Sequence, residues 1–469
     1  MTFPLSKQEW YLTRDDRTRR VHEVKGFDDF KVGIIVSDEI GNDFQCQIMT
    51  WIIGNILARW CRYIRLQVPQ HVISELNLSK GGNFNDSLQR ALLHIDPYLT
   101  LEFDQVDENK MDAVCVIGNL TGQFSKKAIW IDCDGWLTGM GPFPRKKCHG
   151  REKSENILGA SFAACLGCSE LFRRATSKVA IKDQELWYSL WDFKKSAGKN
   201  ELKNPPYINS WDFGHVHQPG CGAVGSSFDY LLALTNWSGS IDLIDFDTVT
   251  YSNCNRSLDF TAYQAVHETA KVEACAEILN FNPAIRARKF LRDYSEFVGQ
   301  GNFLAPPPDL ILCLANQGTI WADIQHNLPP IVLHATTTPN WGVNFGRHIP
   351  RKEWCILCRF SEEIKRLHSF TPECGRGTVA VENCTAPILG VLPFLSPLAA
   401  ILLLAEMSKM AFSNYPVNAN FVEFSFVASI GNFLASTGQI NEDCICLRQD
   451  IRTYPEPIKK TKYWHLVSI

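Results

Sequence analysis

The sequence predicts an α/β chain of two tandem Rossmann-like domains, the first of them degenerate. Three observations predict it. A G-x-G-x-x-G run, Gly220-Cys221-Gly222-Ala223-Val224-Gly225, opens an apolar helical pattern, and an acid, Asp245, follows 20 residues after Gly225. Two segments recur in the same order: Asp112–Asn119 (DAVCVIGN) lines up with Asp309–Asn316 (DLILCLAN), and Ile157-Leu158-Gly159 with Ile388-Leu389-Gly390. Within the first copy, upstream of Asp112, Lys31–Ser37 (KVGIIVS) reads as a strand followed by a loop and a helix, the same sequence of elements as at Gly220.

Taken in order, Lys31–Ser37 is a strand, and Ile48, Trp51, Ile52, Ile56 and Trp60 mark one face of the helix after it. The intervening loop, SDEIGND, has a single glycine and carries Asp38, Glu39 and Asp43. Three carboxylates there repel a phosphate, so this copy reads as unable to hold a nucleotide. The polar stretch Lys194–Ser210, with Gly198, Pro205 and Pro206, reads as a linker and sets the expected domains at 1–205 and 206–469. Gly214–Pro219 (GHVHQP) is a poor apolar strand for the position just before a nucleotide loop. Beyond the loop, Phe228, Leu231, Leu232 and Trp237 share a helix face, Ser238-Gly239-Ser240 ends that helix, and Ile241–Ile244 is the next strand.

The glycines let backbone N–H groups approach a phosphate, the helix N-terminus adds positive charge, and Asp245 stands where a βαβ fold places its ribose-binding carboxylate. NAD would need no more than this. The chain adds Asp247, Asn253, Arg256 and Lys271 just beyond the second strand. Arginine meets phosphate as a fork and lysine as a point charge, so the set favours a nucleoside triphosphate.

The run DFDTVTYSNCNR, then KVE, then NP, resembles the adenylation domain of ubiquitin-activating enzymes and their sulfur-carrier-activating relatives, the ThiF/MoeB type. The resemblance covers roughly residues 206–450. Cys254 and Ser257 depart from the leucine and glutamine usual there, and Lys271 arrives two residues late. It implies that the glycine loop, Asp245 and Asp247 hold ATP, and that Asn253, Arg256 and Lys271 hold its phosphates, with Mg2+. Degenerate halves of this family contribute an N-terminal arginine to the partner's nucleotide; Arg14 and Arg17, following Trp10 and Tyr11, are the expected residues. The family works as pseudo-symmetric pairs, so a pseudo-dimer within one chain is expected, with a homodimer of chains as a further option.

The second copy is longer than the first by 34 residues between the repeated segments, and the excess holds Cys355, Cys358, Cys374 and Cys384. Cys355 and Cys358 form a C-x-x-C, and Cys444 and Cys446 form a C-x-C further on. The family joins two C-x-x-C pairs around Zn2+; the C-x-C departs from that pattern, and the resemblance implies that these four cysteines bind the ion. Glu382-Asn383-Cys384-Thr385-Ala386 resembles the family's N-C-x-T-A segment, which makes Cys384 the expected thioester cysteine, with Cys374 the runner-up beside Arg376. Cys165 and Cys168 instead read as small core residues of an alanine-rich helix.

A net charge of −3 gives no electrostatic case for nucleic acid. Seventeen cysteines without a regular framework, and an N-terminus lacking a signal-peptide core, point to reduced thiols in the cytoplasm. Residues 387–405 carry no charge, but Pro393 and Pro397 interrupt them, so no membrane span is expected. The resemblance implies ATP-dependent activation of a ubiquitin-like protein, with a separate conjugating enzyme as partner, as in bacterial conjugation systems including antiphage ones. Sulfur-carrier adenylylation is the alternative. A nucleotide-binding pseudoenzyme is a third reading, because Ala315 stands where relatives carry an aspartate that helps bind ATP and magnesium.

Overall fold

The computed structural model describes residues 3–20, 26–120, 122–145, 153–177, 184–301, 306–315, 318–327, 330–338, 341–350, 352–359, 391–412, 419–426, 431–438, 440 and 454–468. Two eight-stranded sheets organise it. The first contains β1 (Lys31–Val36), β2 (Tyr63–Gln67), β3 (Thr100–Phe103), β4 (Ala113–Ile117), β5 (Ala128–Asp134), β6 (Leu137–Pro142), β7 (Leu186–Ser189) and β8 (Lys194–Ser196). The second contains β9 (Asp212–Pro219), β10 (Ser238–Ile244), β11 (Ile285–Phe290), β12 (Leu310–Cys313), β13 (Val332–Thr338), β14 (Gly342–His348), β15 (Phe421–Ser425) and β16 (Asn432–Ser436).

Strand order is the same in both: β3-β2-β1-β4-β5-β6-β7-β8 and β11-β10-β9-β12-β13-β14-β15-β16. The first five of each are parallel and the rest antiparallel. The repeat extends to single hydrogen bonds. Asp112 accepts the backbone N–H of Lys31 at 2.8 Å, and Asp309 accepts that of His215 at 2.8 Å. In each sheet the chain reverses direction of growth beside the central strand, which leaves a crevice at the carboxyl ends of β1 and β9.

β9 is a central strand in spite of its polar sequence, because its polar side chains find partners. His217 and Gln218 are both fully buried. His217 lies opposite Asp242 of β10, which lies opposite Arg288 of β11, so a row of polar groups, an imidazole, a carboxylate and a guanidinium, crosses three strands. Gln218 donates to Asp229 at 2.9 Å.

The helices correct several expectations. α1 (Lys7–Arg14) and α2 (Asp16–Arg19) precede β1. α3 (Phe44–Ala58) is buried on every side from Gln45 onward, not along one face, and Trp60 lies beyond its end. α4 (Phe84–Ile95) and α5 (Ile157–Ser177) complete the helices of the first half used below. α6 (Ala223–Ala233) stops short of Trp237, and Ser238-Gly239-Ser240 starts β10 instead of ending that helix. α7 (Ala262–Val266), α8 (Lys271–Leu279), α9 (Tyr294–Gly299), α10 (Gly318–His326) and α11 (Ile356–Arg359) follow. The apolar stretch forms α12 (Leu395–Lys409), buried throughout, with Pro397 in its first turn, where a missing N–H costs no helical bond. No helix among the described residues is long and apolar enough to cross a membrane. The expected linker begins as β8 and continues into a 3-10 turn at Lys199–Glu201.

One apolar core runs through both halves: Phe162 of α5 packs against Phe424 and Phe433 of the second sheet. Arg59, after α3, is fully buried and donates to the carbonyls of Cys254, Leu258 and Phe260 at 2.7, 2.6 and 2.8 Å. Trp51 and Asn55 reach the Tyr230 hydroxyl from the same helix, at 2.7 and 3.4 Å. The first half therefore holds the segment that follows Asn253 by its backbone.

Candidate functional site

The glycine loop lies at the carboxyl end of β9, between that strand and α6. Gly220 has φ of +105°, and a Cβ there would stand 2.5 Å from the Ala315 nitrogen. A Cβ on Gly225 would stand 2.2 Å from the Gly220 carbonyl oxygen, so the third glycine is what lets the helix approach the strand. Gly222 differs: a Cβ would meet nothing within 4 Å. It is the N-cap of α6, with no side-chain cap bond, and Ala223 and Val224 form the first turn. The positive end of α6 is therefore open to an anion.

The first half presents the opposite arrangement. Asp38–Asn42 form a 3-10 turn, and Asp43 then caps α3, its Oδ1 accepting from the Cys46 N–H at 3.0 Å. A carboxylate of the chain itself occupies the place that the second half leaves open.

Asp245 follows β10 and faces the loop. Its Oδ2 accepts from the Cys221 N–H at 2.7 Å and its Oδ1 from the Asp247 N–H at 2.9 Å. Burial pushes the Asp245 carboxyl above its ordinary range, against the pull of Lys271. Lys271 opens α8, and its Nζ meets Asp247 Oδ2 at 2.5 Å. Burial works to lower the Lys271 ammonium, but Asp245 and Asp247 outweigh it and hold its pKa above the usual lysine value. The structure thus brings together Gly220, Gly222, Ala223, Val224, Gly225, Asp245, Asp247 and Lys271.

Asn253 and Arg256 sit on the next segment. Asn253 turns its Oδ1 back to the Thr250 N–H at 2.9 Å, closing a short capped turn. Arg256 is half-buried and donates to the Ser252 carbonyl at 2.5 Å. Burial first, and then Arg17, pull its pKa down to about 9. Thr18 of α2 hydrogen-bonds Asn255 at 3.1 Å, which brings the first half to the Arg256 segment. Arg14 does not join them. It is fully buried in an ion cluster of the first half, with Asp15 at 2.9 Å, Asp96 at 2.7 Å and the Ala58 carbonyl at 3.0 Å.

Ala315 takes the position predicted from the repeat, its carbonyl accepting from Trp321 Nε1 at 2.9 Å. Asp323 lies on α10 and binds the Ser295 hydroxyl, whereas Asp247 stands at the loop. Cys355 precedes α11 and Cys358 lies within it, with 3.7 Å between their sulfurs, and Ile440 packs beside them. Cys374, Cys384, Cys444 and Cys446 lie outside the described residues. Cys165 and Cys168 are fully buried within α5, and the Cys168 sulfur accepts from Trp60 Nε1 at 3.3 Å.

Two features escaped the sequence reading. The Arg59 clamp had no local signal, since one arginine after a helix looks like any surface cation. The buried trio of Cys221, Asp229 and Cys275 had one: Cys275 follows Lys271 by four residues, on the same helix face.

Residues 211–437 match the ThiF family. No curated protein matches the chain in sequence. Among solved structures, E. coli MccB with succinimide is similar at 17% identity and a TM-score of 0.38, over 50% of this chain and 66% of that one. E. coli MccB with ATP is similar at 18% identity and 0.38, over 50% and 66%, and PaaA at 16% and 0.34, over 48% and 65%. The chain spans just under two thirds of the length of these proteins.

Proposed function

With a ThiF family domain at residues 211–437, we propose that the chain uses ATP to activate the C-terminal carboxylate of a ubiquitin-like protein. The observation that carries this reading is the uncapped N-terminus of α6 at Gly222, set beside the partly buried Asp245–Asp247–Lys271 network. The α6 amides and Lys271 would take the phosphates, Lys271 exchanging Asp247 for a phosphate oxygen. Asp245 would take the ribose. Asn253, Arg256 and, from the first half, Arg17 would face the remaining phosphate charge; Arg14, committed to Asp15 and Asp96, would position α1 and α2 instead. Asp247, partly exposed where Ala315 offers no ligand, would face a Mg2+ carried by the triphosphate.

A carboxylate oxygen of the substrate attacks the α-phosphorus, and the α–β P–O bond breaks with pyrophosphate leaving. The product is an acyl adenylate, its developing charge met by Lys271, Arg256 and the loop amides. Transfer would follow on Cys384, with Cys374 the runner-up: the thiolate attacks the acyl carbon, AMP leaves, and a thioester passes to a conjugating enzyme. We take residues 1–205 as a degenerate domain and 206–469 as the active one, in a pseudo-dimer working in the cytoplasm. Zn2+ would sit on Cys355 and Cys358, whose sulfurs are already adjacent, together with Cys444 and Cys446.

ATP–pyrophosphate exchange in the presence of a ubiquitin-like protein tests the reading. Lys271→Ala should lower exchange at least ~100-fold, the scale of losing one preorganised group that meets transition-state charge. Exchange absent from the wild type, or unchanged by Lys271→Ala, overturns it. Ala315 supports a second reading, a nucleotide-binding scaffold, which retains ATP binding without exchange. Release of a thiocarboxylate instead of a thioester would mark sulfur-carrier chemistry.

A further inference from the structure

On the buried side of the glycine loop lies a donor set that nucleotide chemistry does not use. Cys221 belongs to the loop, Asp229 to α6 and Cys275 to α8, and one ligand atom from each lies within 4.8 Å of the other two. All three side chains are fully buried. The Cys221 and Cys275 sulfurs and an Asp229 carboxylate oxygen thus face one another across a single enclosed space. Gln218 holds the Asp229 Oδ2 at 2.9 Å and stands 3.9 Å from the Cys221 sulfur. The other carboxylate oxygen, Oδ1, has no hydrogen-bond partner, although its side chain is wholly enclosed. A buried carboxylate oxygen without a donor is uncommon, and it marks a place where something unseen supplies the missing partner.

We infer that Cys221, Asp229 and Cys275 form a second metal site, for zinc or a cation of similar softness. Two sulfurs and one carboxylate are a zinc donor set; Mg2+ and Ca2+ select oxygen throughout. In a tetrahedral zinc site, with Zn–S about 2.3 Å and Zn–O about 2.0–2.2 Å, donor atoms lie roughly 3.4–3.8 Å apart. A small contraction of the trio reaches that spacing. Binding replaces two S–H bonds by two S–Zn bonds and releases both protons to solvent. Two thiolates and a carboxylate leave one negative charge around a divalent ion. Lys271, one turn before Cys275 on the same face of α8, is the neighbouring cation. The metal ties together the three elements that frame the nucleotide loop, from the side opposite to its open face. It is separate from the C-x-x-C at Cys355 and Cys358.

The test uses the full-length chain carrying Cys355→Ser and Cys358→Ser, so that this pair cannot contribute. Metal content is measured after loading with zinc and removing the excess, and cobalt is used for its sulfur-to-metal absorption. We expect about one equivalent more zinc than in the same chain with Cys275→Ser or Asp229→Asn, and no difference with Cys165→Ser. Should the serine variant fail to fold, Cys275→His keeps a ligand: it should retain the zinc while the cobalt–sulfur absorption falls by roughly half, one of two thiolates being lost. Equal metal content with and without Cys275 overturns the site. Neither readout depends on ATP, so its failure and that of the adenylation reading are told apart.

Discussion

At Gly225 a single hydrogen does the work. Its missing methyl group would overlap the Gly220 carbonyl, 2.2 Å away, and that carbonyl is backbone that cannot rotate aside. Gly225→Ala should therefore destabilise the chain by about 1–3 kcal/mol, the scale of overpacking, and should weaken nucleotide binding by moving α6 off the strand. Gly222→Ala, with open space around it, should cost less, about 0.5–1 kcal/mol, because alanine is a poorer N-cap than glycine. Denaturant midpoints of the two variants check the contrast; equal losses would contradict it. In the first half, Asp43→Ala should cost about 1 kcal/mol through its lost cap on α3, and leave ATP–pyrophosphate exchange intact. A loss of exchange at equal folded fraction would mean that the first loop takes part in the reaction.

At the scale of the element, β9 shows where pattern reading stops. Its HVHQ core looks unfit for a central strand, because periodicity registers hydrophobicity and not the partner that satisfies a buried imidazole. That partner, Asp242, lies a helix away in sequence and directly opposite in the sheet. Burial pulls the His217 pKa down to about 3, against Asp242 and together with His215 and Arg288, while Tyr294 and Phe297 close the face above it. In the unfolded chain a histidine titrates near 6.5, so between those values the unfolded state binds more protons. Stability should therefore fall as pH drops from about 6.5 toward 3, by at most about 1.4 kcal/mol per pH unit from this group. Burial also pushes the Asp242 carboxyl up, but His215 and Arg288 outweigh it; its contribution is present above the ordinary aspartate range and is lost below. Urea titrations from pH 7 to 4 should show a shallower slope for His217→Gln, and an unchanged slope would refute the assignment. The glycine loop, Asp245 and Lys271, by contrast, were legible because their chemistry is local and their spacing is fixed by one strand–helix–strand unit. The end of α6 was misread by several residues because Trp237 continues the apolar spacing after the helix has stopped.

The molecule as a whole is two copies of one topology sharing a core. The Asp112 and Asp309 segments disclosed the duplication, since each starts the strand that pairs with the centre of its sheet. The clamp between the copies was not legible. Arg59 meets backbone carbonyls, and a carbonyl leaves no trace in residue type. Arg59→Met would leave the Cys254, Leu258 and Phe260 carbonyls without this donor. At about 1–3 kcal/mol for a buried group losing its partner, several kcal/mol of stability should be lost. A change in unfolding free energy below about 1 kcal/mol would show that water replaces the guanidinium.

Asp43 has a consequence for how the chain tolerates change. A helix end stoppered by its own side chain offers no free amides to an anion, so on the reading of that half as degenerate, selection on it would act through its neighbour. In a saturation-mutagenesis map, solvent-facing positions of β3 and α4 should accept most residues. Trp51, Asn55 and Arg59 should prove as unforgiving as the glycines of the other copy. The first half would then be preserved the way a mould is, for the shape of what is pressed against it.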